Sequence, residues 1–399
     1  MVDRLVTFAR SSWWFAATLV WLATRLITTV LFLVAASIQG DNYWTKANPP
    51  YFDFLNIWDV EWYWRIFDHG YPLELPFSAS GQVLQNEWAF MPVFPGLVKA
   101  LTSITGLEFK FAAALLATAF SFAAALVIAR IFERFMPRAQ ALWGLALVGL
   151  WCASPVLQAG YAESLGLFLL AIALWFILER RYLVALAPIA ILAFTRPSVL
   201  AISLMLVLLW VVRWWQSRLD PSGFARRERI QLAVSAVLSG FAGLGWSLTA
   251  AAFTGRPDAY LATEMAWRSV YVGSSNFAPF EGWIASFDYH FGAGVGLVSL
   301  LLAAGLIAWM LRAEAIAKLG LELRLWLVSY AVYLLAVFFP QSSTWRLLLP
   351  MFVLAGALAI GTWRASKLLK IVLVIALIAA QFAWMLVCWV YVAPDFTPP

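Results

Sequence analysis

The segment NIWDVEWYWRIFDHGYP, residues 56–72, sets Asp59, Glu61, Arg65, Asp68 and His69 among tryptophans and tyrosines in a chain of which only 12% of residues are charged. A carboxylate in such surroundings can take a proton from an attacking hydroxyl. Three later segments add complementary groups: ASPVLQAGYAESL (153–165) with Tyr161 and Glu163, FTRPSV (194–199) with Arg196, and FFPQSSTWRLLLP (338–350) with Gln341 and Arg346. Arginine meets phosphate through a planar fork of donors, so Arg196 and Arg346 suit an anion. One proton acceptor, a cationic clamp and an apolar groove are what a hydroxyl needs to displace a lipid phosphate from the anomeric carbon of a sugar. A donor with a single phosphate requires no bridging metal, and no cofactor is implied. Trp58, Trp62 and Tyr63 are candidates to stack on the sugar. The same polar groups beside lipid also suit a second class, a transporter or flippase of a lipid-linked sugar that forms no glycoside.

Each feature has a plainer structural reading. Asp59, Trp62, Tyr63 and Ile66 share one helical face and Glu61 and Arg65 stand four apart on another, as in an amphipathic helix at a membrane interface. Glu163 fits the start of a helix, where the dipole favours a carboxylate. Arg25, near the middle of the first apolar run, must pair with a carboxylate of another helix or touch a lipid phosphate. Other chemistries lack their signatures: there is no GxxxxGK[ST], HExxH or GxSxG, and the histidines are His69 and His290. Cys152 and Cys388 both fall in apolar runs, so neither a metal site nor a disulfide framework is expected.

The elements that must position these residues are membrane helices. A chain of 399 residues that is 63% hydrophobic, with a mean hydropathy of +0.83, lies far above the roughly 45–50% apolar content of soluble domains. The net charge of +6 resides in short basic clusters between apolar runs, which orient a membrane protein rather than bind nucleic acid. An all-α integral membrane protein follows, a single membrane domain over 1–399. Apolar runs at 12–38, 109–131, 140–157, 161–178, 182–195, 197–213, 230–253, 291–311, 325–340, 347–363 and 371–393 predict about eleven crossings. The runs 182–195 and 197–213 are short, and a re-entrant pair is the alternative. Arg4, Arg10 and the later clusters set the N-terminus inside and the C-terminus outside. The outer side then carries two loops, 39–91 and 254–290, and all four gatherings lie on it. Residues 90–106, broken by Pro92, Pro95 and Gly106, read as an interfacial helix.

The order of motifs resembles the PIG-V family of mannosyltransferases. It runs Trp58-Asp59, then Arg65-Ile66 and Gly70-Tyr71, then Trp88-Ala89-Phe90-Met91-Pro92-Val93-Phe94-Pro95. SPVLQAGYAESL and FTRPS continue the likeness to residue 198, with a weaker echo from Gln341 to Pro350. The resemblance implies a GT-C type multi-helix bundle with its active site on the non-cytoplasmic side. It implies a polyprenyl-phosphate-mannose donor and inversion at the anomeric carbon, with Asp59 as general base and Glu163 and Arg196 as site residues. The wider substrate-binding set is Trp58, Glu61, Arg65, His69, Tyr161, Glu163, Arg196, Gln341 and Arg346. Pro197 departs from the small polar residue that follows the arginine in the family. Short loops and Ala/Leu/Trp-rich helices suggest a bacterial plasma-membrane protein acting on a glycolipid, cell-wall polymer or protein.

Overall fold

The computed structural model describes residues 12–220, 223–273 and 277–391. Arg4, Arg10 and the end of the last expected span lie outside the described residues. Regular structure among the described residues is helical, and extended backbone pairs only in an isolated bridge between Phe77 and Val83.

Among the described residues six helices are long and apolar enough to cross a membrane: Trp13–Ile38, Phe109–Glu133, Val199–Gln216, Arg226–Thr254, Gly320–Val337 and Lys367–Val390. They coincide with six of the expected crossings. The other five fall on shorter helices, Arg138–Gly149, Glu163–Leu178, Tyr182–Ala193, Val295–Met310 and Val353–Thr362. Two of these depart most from expectation. The run 140–157 ends as an α-helix at Gly149 and resumes only as the 3-10 turn Ser154–Leu157, and 347–363 is interrupted by Pro350 in a second 3-10 turn. A helix of 12 residues rises only about 18 Å, well short of a hydrocarbon core of about 30 Å. Six of the expected crossings are thus met by membrane-length helices among the described residues, and the other five by shorter ones. Tyr182–Ala193 and Val199–Gln216 are separate helices divided by the FTRPS turn, and only the second is long enough to span.

The loops expected at 39–91 and 254–290 are themselves partly helical. The first holds Tyr51–Leu55 and Asp59–His69, and the second holds Ala259–Val272 and Glu281–Phe291. Val93–Thr105 forms the helix expected at 90–106 and stops at Gly106, whose φ of +72° is the left-handed cap that glycine adopts without cost.

Alternation of helix direction sorts the joints onto two ends. At the basic end, Arg213 donates to Glu228 and to Glu322 at 2.7 Å, and Arg138 meets Glu133 at 3.1 Å. The four polar gatherings lie at the opposite, loop-bearing end. Between the ends the outer surface is oily: Leu26, Val30 and Leu33 of the first helix are exposed while Thr28 and Phe32 of the same helix are buried. Such an inverted surface suits lipid as solvent.

Arg25 meets neither of its expected partners. It donates to the Gly149 carbonyl at 2.6 Å and to the Ser154 carbonyl and hydroxyl at 2.8 and 3.1 Å. The break after Gly149 frees backbone carbonyls at membrane depth, and a buried guanidinium with five donors satisfies them. Gln381 reaches the same carbonyl and hydroxyl, at 3.3 and 3.1 Å. Gln158 binds Thr29 and Tyr51, at 3.0 and 2.9 Å. Arg25 thus holds the turn that leads to Tyr161 and Glu163. Arg25→Met is expected to cost about 1–3 kcal/mol, because the buried Ser154 carbonyl loses the guanidinium while the Gly149 carbonyl keeps Gln381 and the Ser154 hydroxyl. The check is the midpoint of unfolding in micelles, and an unchanged midpoint would remove Arg25 from this role.

Candidate active site

Asp59 is the first residue of helix Asp59–His69, where the dipole favours its negative charge. The preceding Trp58 has φ +61° and ψ −118°, a conformation that side chains rarely adopt and that costs of order 1–3 kcal/mol. Its indole holds it there, donating to the Cys388 carbonyl at 2.7 Å and packing on Trp44 at 5.3 Å. Close approach supports the same corner. A Cβ on Gly160 would stand 2.8 Å from Asn56 Oδ1 and 3.2 Å from Val60, so only glycine lets the 153–165 segment press against the start of this helix.

Four charged side chains from four separate segments meet here. Arg346 Nη1 donates to Asp59 Oδ2 at 2.5 Å, Arg346 Nε stands 3.1 Å from Glu163 Oε1, and Arg196 Nη2 stands 3.2 Å from the same oxygen. The order in space is Asp59, Arg346, Glu163, Arg196, alternating in sign. Their side chains are 15%, 9%, 6% and 18% exposed, so Glu163 is the most enclosed and Arg196 the most open to a ligand. Glu163 is held by charge rather than by aligned hydrogen bonds, since neither of its oxygens has a donor in line. Burial works against both arginine charges. Glu163, with Tyr63 and Asp59, outweighs it at Arg196, and Asp59 and Glu163 do so at Arg346, so both guanidiniums stay firmly protonated.

Neighbouring residues aim these groups. Tyr161 donates to the Ile57 carbonyl at 3.0 Å and presents its ring to the Arg346 guanidinium at 5.4 Å, linking the Trp58 turn to the clamp. Gln341 acts through its backbone, exchanging hydrogen bonds with Thr344 at 3.1 and 2.9 Å to start the short helix Thr344–Leu347 that carries Arg346. A Cβ on Gly166 would come within 2.9 Å of Arg196 Cγ, so the arginine lies across bare backbone. Tyr333 donates to the Pro197 carbonyl, fixing the turn after Arg196.

Not every sequence candidate joins this cluster. Glu61 and Arg65 pair with each other, and Arg65 lies over the Trp62 ring at 4.5 Å. His69 stands 3.5 Å from Glu87. Arg65 and His69 instead face an open cleft of about 430 Å³ with Tyr71, Glu74 and Glu87. The aromatic candidates for sugar stacking are engaged by protein. Trp62 stacks on Phe90 at 5.8 Å, and buried Tyr63 packs on Phe90 and Phe94 at 5.4 Å.

The sequence reading missed Tyr260, Glu264 and Arg268 of helix Ala259–Val272. Burial pushes the Glu264 carboxyl up to about 7, with Arg268, Tyr260 and Arg196 opposing the shift and Asp59 adding to it. The four-residue spacing of YLATEMAWR was the available signal, one helical face reading Tyr, Glu, Arg. Arg196 and Tyr260 also share a narrow recess with Met91, Pro197, Trp246 and Ser247.

Fold and site together define an all-helical protein with membrane-length helices and an arginine-bridged carboxylate cluster at one end. No protein-family model matches the chain, and no curated protein matches it. Among solved structures it is similar to an oligosaccharyltransferase from Archaeoglobus fulgidus, determined with a tethered acceptor peptide containing the NVT sequon. The identity is 12% and the TM-score 0.44, over 94% of this chain and 54% of that one. The chain thus spans about half the length of that protein.

Removing Glu163 leaves two buried guanidiniums facing each other. Glu163→Ala is expected to destabilise by about 3–5 kcal/mol, the cost of an uncompensated buried charge. Adding Arg196→Met should recover part of that loss, read as a coupling energy in a double-mutant cycle. Strict additivity would show that the two side chains do not interact.

Proposed function

We propose that the protein is a GT-C type glycosyltransferase that moves mannose from a polyprenyl-phosphate-mannose donor to an acceptor hydroxyl on the non-cytoplasmic side. The observation that carries this reading is the convergence of Asp59, Arg346, Glu163 and Arg196 at the loop-bearing end. Asp59 is the general base that takes the acceptor proton. Arg196 and Arg346 receive the phosphate, whose charge grows as the glycosidic bond breaks. Glu163 keeps the two like-charged clamps apart in register. A phosphate that enters competes with Asp59 for Arg346, freeing the carboxylate to meet the acceptor. Attack from the side opposite the departing phosphate inverts the anomeric carbon. The choice of mannose, the family assignment and the bacterial plasma membrane rest on the sequence resemblance, and the acceptor is a glycolipid, polymer or protein. Orientation rests on the basic residues of the opposite end.

Asp59→Asn keeps the size of the side chain and removes the proton acceptor. Transfer from radiolabelled polyprenyl-phosphate mannose to extracted acceptors is expected to fall at least about 10²-fold while the protein stays folded. Wild-type rates in this variant would exclude Asp59 as the base. Lipid-linked sugar crossing proteoliposomes without glycoside would point instead to a flippase. Orientation has its own check: a cysteine placed at exposed Ser80 should react with a membrane-impermeant thiol reagent from outside intact cells. Labelling only after lysis would invert the topology.

A further inference from the structure

The cleft that Arg65 and His69 share is a second site at the loop-bearing end, and the charge cluster does not account for it. Its volume of about 430 Å³ lies within the range of small-molecule sites, about 300–1,000 Å³. Three pieces of the first outer loop build it: helix Asp59–His69, the turn 71–76 and the segment 85–87. Trp62, Arg65 and His69 follow one another on a helical face at spacings of three and four, and Asp59 lies three residues before Trp62 on the same ridge. The cleft therefore begins about 5 Å along the helix axis from Asp59 and continues for roughly two turns.

Its walls are fixed by bonds within the protein. Tyr71 donates to the Phe90 carbonyl at 2.8 Å, and Trp88 Nε1 donates to the Pro72 carbonyl at 2.8 Å. Asn86 donates to Thr263 Oγ1 at 2.9 Å and accepts from the Trp88 N–H at 3.0 Å, which ties the segment 85–87 to helix Ala259–Val272. What stays available is mostly acceptor chemistry. Glu87 is only 8% exposed yet lines the cleft, and its ion-pair partner is His69 Nε2 at 3.5 Å. That separation is longer than a hydrogen bond, so an enclosed carboxylate keeps lone pairs for a ligand. Glu74 and Gln85 add further oxygens, and Glu61 already neutralises Arg65. Such a lining disfavours phosphate and carboxylate and favours paired O–H donors, the pattern that adjacent hydroxyls of a sugar ring present. The rim has the opposite character. Leu73, Phe77 and Leu84, next in the chain to lining residues, are exposed, as suits a cleft lying at a bilayer surface.

We propose that this cleft binds the acceptor as the neutral hexose headgroup of a glycolipid, held by Glu87, Glu74 and His69 with its reacting hydroxyl turned toward Asp59. The proposal rests on the transferase reading above and narrows its acceptor to one class. The donor phosphate occupies Arg196 and Arg346, and the two substrates meet at Asp59. The acceptor hydroxyl gives its proton to Asp59, its oxygen bonds the anomeric carbon, and the phosphate oxygen leaves with the electron pair of the broken bond.

The test is equilibrium binding of radiolabelled octyl mannoside and octyl glucoside to the full-length protein in sugar-free polyoxyethylene micelles, corrected for protein-free micelles. Wild type is expected to bind at least one of them saturably. Glu87→Gln should weaken that binding about 10-fold, the loss of one hydrogen bond to a charged group. Glu74→Gln, at an exposed position that folding tolerates, should weaken it as well. In transfer assays both variants should raise the acceptor KM and leave the donor KM unchanged. No saturable binding by wild type, or variants that bind as wild type does, overturns the cleft as the acceptor site. Methyl hexosides that bind as tightly as octyl hexosides would point to a soluble polymer, and displacement by a Ser/Thr peptide to a protein acceptor; either overturns the glycolipid. Wild-type protein that binds the hexoside but makes no glycoside from polyprenyl-phosphate mannose and extracted membrane acceptors overturns the transferase reading instead, and leaves the cleft a hexoside site.

Discussion

Charge is costly inside a lipid-facing bundle, and the candidate site depends on one arrangement of it: Glu163 lies between two arginines, and one of those arginines also holds Asp59. At low dielectric, neither guanidinium could stand near the other without the carboxylate between them. The site is therefore coupled as a unit. The FTRPS turn, the 344–347 helix and the start of helix Asp59–His69 are held in relation to one another through a single side chain. Because Glu163 lacks aligned hydrogen bonds, the arginines retain donor capacity for an incoming anion. A fully hydrogen-bonded network would be stiffer and less able to exchange partners.

The same accounting explains the shape of the helices around the site. Interrupting the 138–149 helix before the Glu163 helix begins frees backbone groups that lipid cannot satisfy. Arg25 and Gln381 satisfy them from neighbouring helices. The interruption makes room for Tyr161 and Glu163 at the loop-bearing end, and the buried arginine in the first helix is what makes the interruption tolerable. A polar residue that looks out of place in a span is thus part of the scaffold that leads to Tyr161 and Glu163.

The two ends of the bundle put similar residues to different uses. At the basic end Arg213 is bound to Glu228, Glu322 and Tyr182, so its donors are taken up by protein. At the loop end Arg196 reaches only Glu163 and lies against an open recess. The proposed transfer needs this asymmetry: one end locks helices together, and the other keeps a cation where a lipid phosphate can reach it.

Composition alone determined that this chain lives in lipid, because 63% hydrophobic content leaves no soluble alternative. The sequence also pointed to Asp59, Glu163, Arg196 and Arg346, since charge beside apolar runs is costly enough to mark its own location. Hydropathy does not register where a helix breaks, so Gly149 and Pro350 read as part of apolar runs although the helices are interrupted there. It left the partner of Arg25 open between a carboxylate and a lipid phosphate, whereas the structure supplies carbonyls exposed by that break. It also could not separate Arg65 and His69, which face a cleft of their own, from Asp59 on the same short helix. Only the tertiary structure decided which charges meet. Glu163 shows why: its partners Arg196 and Arg346 are far away in sequence, and no local pattern brings their turns together.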